Sequence, residues 1–362
     1  MIALNLGFIF GGATYLKGKT WLGNSSSFLK VAIVIVLGMF PFTFFTRVGA
    51  FDIGMTSGEL YAASHEIRAE SGTLIEYIRM VFAVYSFGLF PVLVFYWKNI
   101  PQWIRVASII GVITSMFTTV LMGVNKDIFN HVILLFVFVL LKVRFKEIFS
   151  RKSFLAVIII VASSLFAANF FVSTQITRSG SFAATGVNPK LGYYSKYSQS
   201  DGTLFVFYSA LTFYLTQGYH AFDLALDLPF ESTKGVGNST FLSRQVDKFA
   251  GTHIGDSTYP ARLESQNWDR YNYWSTFYLW WASDVHFIGV LILMFAIGIS
   301  FRLVENTLIH EEEDVGACIC YGYYTLMLFY LSANNQLFQS GENFIGFLLV
   351  FLPLFFGRRF SQ

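Results

Sequence analysis

Charge is what this sequence has least of: 25 Lys and Arg and 22 Asp and Glu make up 13% of 362 residues, about half the share of a soluble domain. That scarcity excludes an ordinary soluble domain, and a hydrophobic fraction of 54% excludes disorder. The net charge of +3 is too small to mark a nucleic-acid binder, so no nucleic-acid partner is expected. Cysteine is nearly absent. Cys318 and Cys320 stand two apart in an apolar run, where a helix points them to different faces and denies them a disulfide. HExxH, paired CxxC and Asp-x-Asp motifs are missing and the six histidines are scattered, so no metal is expected. Walker and dinucleotide loops are missing too, which leaves a nucleotide-sugar donor or an ATP-driven pump without a seat and predicts no cofactor.

What the chain has instead is apolar and aromatic: 42 Phe, 19 Tyr and 7 Trp, with a mean hydropathy of +0.54. Apolar runs at 29–45, 80–97, 106–124, 128–141, 154–172, 285–301, 315–332 and 344–356 predict an all-α polytopic integral membrane protein in the lipid bilayer. A further run at 1–16 lacks a basic n-region and a small-residue cleavage site, so it reads as a short or truncated first helix and not as a signal peptide; the total is about nine transmembrane helices.

Lys and Arg gather in alternate gaps: Lys17, Lys19 and Lys30; Lys98 and Arg105; Lys142, Arg144, Lys146, Arg151 and Lys152; Arg302; Arg358 and Arg359. The positive-inside rule makes these cytoplasmic. The opposite gaps then face outward, and residues 173–284 form one large extracytoplasmic loop between N-terminal helices (1–172) and C-terminal helices (285–362) of a single membrane domain. Segment 205–226 within that loop is apolar enough to span, but a crossing would put Arg302, Arg358 and Arg359 outside. It also carries Gln217, His220 and Asp223, so it reads as an amphipathic or re-entrant helix.

Two runs are short. At 1.5 Å per residue, 128–141 covers only about 20 Å of a hydrocarbon core roughly 30 Å thick, which sinks the turn Asn125, Lys126, Asp127 below the outer surface. Run 344–356 does the same for Asn334, Asn335, Gln336, Gln339, Ser340 and Glu342. Such groups at membrane depth need a water-filled cavity or one another. The alternative is a capped hairpin at Lys126–Asp127, with the amides tying helices together. Arg47 and Arg79 lie near outer span ends, although Glu76 is placed to pair with Arg79. In the large loop, Arg178, Lys190, Lys196, Lys234, Arg244, Lys248, Arg262 and Arg270 give an outward cationic excess suited to an anionic group at the leaflet. The cluster Trp268, Tyr271, Tyr273, Trp274, Tyr278, Trp280, Trp281 is either an interfacial belt or a platform for sugar rings. The triplet Asn238, Ser239, Thr240 is a glycosylation sequon that occurs easily by chance.

Four stretches carry a family likeness: Gly218–Tyr219–His220 with Leu224 to Phe230 (LALDLPF); Trp281 to Val285; Asn334, Asn335, Gln336 through Gln339, Ser340, Gly341, Glu342; and Gly123 to Lys126. They resemble the Wzy-type oligosaccharide repeat-unit polymerases, bacterial inner-membrane enzymes of O-antigen and capsule synthesis. The likeness runs from about Gly123 to the C terminus. Arg244 and Gly255 also fit the Arg-x10-Gly spacing of some of these polymerases, which Arg178 does not repeat.

The resemblance implies metal-independent glycosyl transfer at the periplasmic face. A glycan on undecaprenyl pyrophosphate is moved onto a sugar hydroxyl of the next lipid-linked oligosaccharide, with the chain-length regulator and flippase of the pathway as partners. Lys126, Arg178 and Arg244 are then expected to bind pyrophosphate, and Trp274, Trp281, Asn335 and Gln339 to bind sugar. The catalytic base is expected among Asp284, Glu342 and His220. Asp284 is alternatively an N-cap of the following span, Glu342 a structural partner of Lys126, and His220 merely interfacial. An O-antigen ligase and a lipid-linked oligosaccharide flippase are the competing readings.

Overall fold

A computed structural model describes residues 1–18, 20–48, 74–122, 126–142, 212, 216–268, 270, 273–311 and 313–361. The apolar run 154–172, Arg178, Lys190, Lys196 and most of 205–215 lie outside the described residues. The described residues are mostly helical, and among them four helices are long and apolar enough to cross a membrane.

The first of these, α2 (Ser25–Thr43), is preceded by α1 (Ile2–Phe10) and the short strand β1 (Tyr15–Lys17). The expectation of a helix over 1–16 is corrected here: Gly11 and Gly12 end it after nine residues, Gly12 taking a left-handed φ of 56°. Asn24 caps α2 by accepting the Ser27 N–H at 2.8 Å, and beyond Pro41 the helix widens into a π-helical turn, Phe44–Val48. Next come α3 (Leu74–Phe95), α4 (Gln102–Leu121) and α5 (Lys126–Lys142).

After a helical stretch at 216–225, an amphipathic helix α6 (Thr240–Ala250) and a single turn α7 (Tyr259–Arg262) lead into α8 (Phe277–His310). The membrane run expected at 285–301 is therefore part of a 34-residue element, interrupted at His286, where φ is 61°. Hydropathy truncates it because Asp284 and Arg302 look like boundaries. Both are satisfied in place: Arg302 pairs with Glu305 at 2.5 Å and donates to the Gly12 carbonyl at 3.1 Å. The chain ends in α9 (Val315–Phe329), α10 (Gly341–Phe356) and strand β2 (Arg359–Ser361), which pairs antiparallel with β1.

Packing follows from pattern. Every residue of α9 from Val315 to Met327 is buried, as suits a helix apolar on all sides, and α3, α5, α8 and α10 pack around it. Cys318 and Cys320 are buried there as free thiols. Helix α1 lies tightly on α8, because a Cβ at Gly298 would fall 2.8 Å from the Phe8 nitrogen; small residues let these backbones meet.

The described cations of the basic gaps gather at one end of the bundle. Asp314 caps α9 and pairs with Nη1 and Nη2 of Arg358, each side chain 3% exposed. Lys142 sits 4.5 Å over the Phe95 ring beside Lys98, and Lys30 lies 5.7 Å over Trp103. The opposite end carries Arg47, Glu76, Arg79, Lys126 and Glu342.

Candidate functional site

The π-helical turn after α2 carries Thr46 and Arg47, and the first turns of α3 carry Glu76 and Arg79. Arg47 donates through Nε to Glu76 at 3.2 Å, contacts it again through Nη2, and reaches Glu342 of α10 at 2.8 Å. Arg79 pairs with Glu76 at 2.7 Å and donates to Thr46. The pairing of Arg79 with Glu76 is the alternative that the sequence left open. Two guanidinium groups thus share two carboxylates across α2, α3 and α10, a partly buried network.

That network borders a cavity of about 250 Å³, lined also by Lys126, Asp127, Asn130 and His131 of α5, and by Tyr323, Tyr330 and Gln336. Both short helices, α5 and α10, begin at its rim, which is why Lys126 and Glu342 come together. They do not pair with each other: Glu342 goes to Arg47. Lys126 makes no ion pair or hydrogen bond among the described residues. Three cations (Arg47, Arg79, Lys126) and two carboxylates (Asp127, Glu342) line the cavity; the arginines are met by ion pairs to Glu76 and Glu342, whereas Lys126 is in none among the described residues. An incoming anion would find Lys126 available at the N-terminus of α5, where backbone N–H groups also favour negative charge.

The other expected site residues lie elsewhere. Asp284 is 8% exposed, and its carboxylate accepts five hydrogen bonds: from Thr233 Oγ1 (2.5 Å), the N–H groups of Gly235 (2.9 Å), Gly237 (3.0 Å) and Asn238 (2.8 Å), and Asn238 Nδ2 (2.8 Å). Two carboxylate oxygens offer about four lone-pair directions, so no place is left for a substrate hydroxyl. The expectation of a base at Asp284 is corrected to that of a fastener. It does not cap the helix either, since Thr276 caps α8 by accepting the Leu279 N–H at 3.2 Å.

Asn335 and Gln339 hold the same loop from the other side. Asn335 Nδ2 donates to the Asn238 carbonyl at 2.5 Å, Ser239 Oγ to Phe338 O at 2.6 Å, and Thr240 Oγ1 to Gln339 Oε1 at 2.7 Å. The Asn238–Ser239–Thr240 triplet is thus a structural rivet. With Asn238 only 5% exposed, it is no glycan acceptor in the fold. Trp281 packs edge-on to Phe338 (5.4 Å) and against Phe277 (6.0 Å), partly buried against the core; Trp274 is half-buried too. Exposed His220 rests edge-on against Trp268 at 5.4 Å. Arg244 is exposed and donates to its own helix at Thr240 O, while the Gly255 N–H goes to Asp247. None of these lines the cavity.

The sequence reading passed over Asn130 and His131. Their signal was present: His131 follows Asp127 by four residues, one turn down the helix that starts at the sunken turn. Compared with known proteins, the chain matches no family model, no curated protein and no solved structure.

Proposed function

We propose that this chain polymerises lipid-linked oligosaccharide repeat units, transferring a glycan from a polyprenyl pyrophosphate to a sugar hydroxyl at the outer face of a bacterial inner membrane. The observation that carries this reading is the cavity at the end of the bundle opposite the basic gaps, with Lys126 lacking a direct partner beside two carboxylate-bound arginines. A cation presented there, at a helix N-terminus sunk by a short helix, meets a pyrophosphate that is itself tied to the leaflet. The resemblance of residues 123–362 to repeat-unit polymerases supports the same chemistry, and the gathering of described cations at the other end supports an outward-facing cavity by the positive-inside rule. On this reading about nine helices cross the bilayer, and 173–284 lies wholly outside.

The test is the lipopolysaccharide ladder of a deletion strain on a silver-stained gel. Loss of a polymerase leaves core bearing a single repeat unit. Bare core alone would instead indicate a ligase or flippase.

A further inference from the structure

Among the described residues one imidazole lines the cavity, and the reading above gives it no task. His131 Nδ1 lies 2.6 Å from the backbone carbonyl oxygen of Asp127. A carbonyl can only accept, so Nδ1 carries the proton and Nε2 keeps its lone pair. Nε2 has no hydrogen-bond partner among the described residues. The ring is braced edge-on by Phe90, 4.6 Å between centroids, so it is held in one tautomer and one orientation by groups that leave its basic atom free. A base oriented by a third group in this way is the arrangement that activates hydroxyl nucleophiles. The competing carboxylates are engaged: Glu342 with Arg47 at 2.8 Å, and Asp127 Oδ1 with Asn130 Nδ2 at 3.4 Å.

Resting on the reading of this cavity as a pyrophosphate-glycan site, we propose that His131 is the catalytic residue that takes the proton of the acceptor hydroxyl. As the acceptor oxygen bonds to the anomeric carbon of the donor glycan, its proton passes to His131 Nε2. The bond from the anomeric carbon to the phosphate oxygen breaks, and its electron pair leaves with the lipid pyrophosphate, whose charge Lys126 offsets. The imidazolium then gives its Nε2 proton to water. Atoms and charge balance without a further reactant.

The experiment compares wild type, His131→Asn and His131→Ala in lipid nanodiscs, using the lipid-linked repeat unit purified from a strain lacking this protein. Polymer formation, binding of the labelled unit and thermal melting are read together. The asparagine amide can sit where Nδ1 sits and donate to the Asp127 carbonyl, but it has nothing at the Nε2 position. His131→Asn is expected to bind and melt like wild type while turnover falls by roughly 10²- to 10⁴-fold. Turnover of His131→Ala is expected to return with added imidazoles in proportion to their basicity, a dependence that a merely structural histidine would not produce. An Asn variant with turnover within a few fold of wild type overturns the role of His131 alone, as does an Ala variant that no imidazole rescues. A wild type that neither binds nor polymerises the unit overturns the reading of the cavity, and this role with it.

Discussion

Asn238 holds Asp284 twice, through its backbone N–H and through Nδ2, at 2.8 Å each. With the Thr233, Gly235 and Gly237 donors this makes Asp284 the point where the 232–240 loop is fastened to α8, just before the break at His286. An asparagine there keeps the size but turns an NH₂ toward donors. Asp284→Asn is therefore expected to lower stability by about 3 kcal/mol, since each buried donor left unpaired costs about 1–3 kcal/mol. Asp284→Ala should do no better. Thermal melting of the purified protein checks this, and an Asn variant that melts like wild type would show that the fastening is dispensable.

Arg358 and Asp314 form the corresponding clamp at the other end, each only 3% exposed. Removing one partner of a buried pair leaves an uncompensated charge, so Arg358→Met is expected to cost about 3–5 kcal/mol. Asp314 also accepts the Ala317 N–H at 2.9 Å, a cap that serine can replace. The double variant Asp314→Ser with Arg358→Met is expected to melt above the single Arg358→Met variant. Equal melting of the two would show that the unpaired carboxylate is not the source of the loss.

The described helices were legible because apolar runs of this length have few alternatives, and the short run at 128–141 pointed to Lys126, which lines the cavity at the start of α5. The roles of Asp284, Asn335 and Gln339 were not. Each is a polar residue in a membrane-proximal stretch, and composition does not distinguish one aimed at a substrate from one aimed at a loop about 50 or 100 residues away; Asp284 and Gly235 are separated by 49 positions and Asn335 and Asn238 by 97. The network of Arg47, Glu76, Arg79 and Glu342 was legible only in its local pair, Arg79 with Glu76, because the other pairings join helices distant in sequence.

Asp247 closes the end of α6 with three accepted hydrogen bonds: Thr252 Oγ1 at 2.8 Å, Ile254 N–H at 2.7 Å and Gly255 N–H at 3.0 Å. Desolvation pushes its carboxyl up, but these bonds together outweigh it and hold the pKa below the usual carboxylate value. A depressed folded-state pKa contributes stability above the unfolded value and loses it as pH falls through the folded value. Asp247→Asn is thus expected to melt below wild type at neutral pH, with the gap closing as pH drops below about 4. Melting curves of both proteins across that range decide it; a gap that is constant with pH would assign the effect to packing.

Lys126 and Arg244 were both expected at the pyrophosphate, and the fold separates them. Lys126 lines the cavity without a direct partner, while Arg244 is exposed on α6 and bonded to its own backbone at Thr240. A charge-assisted contact is worth about 1.5–3 kcal/mol, so Lys126→Met should weaken binding of the lipid-linked repeat unit by roughly ten- to a hundredfold. Methionine keeps the length and apolar stem of lysine, which limits the change to the charge. Arg244→Ala should bind as wild type does. Binding isotherms for the two variants with the same labelled lipid make the comparison internal: a loss confined to Arg244→Ala would place the anion on α6 and not in the cavity, and no loss in either would remove both residues from pyrophosphate recognition.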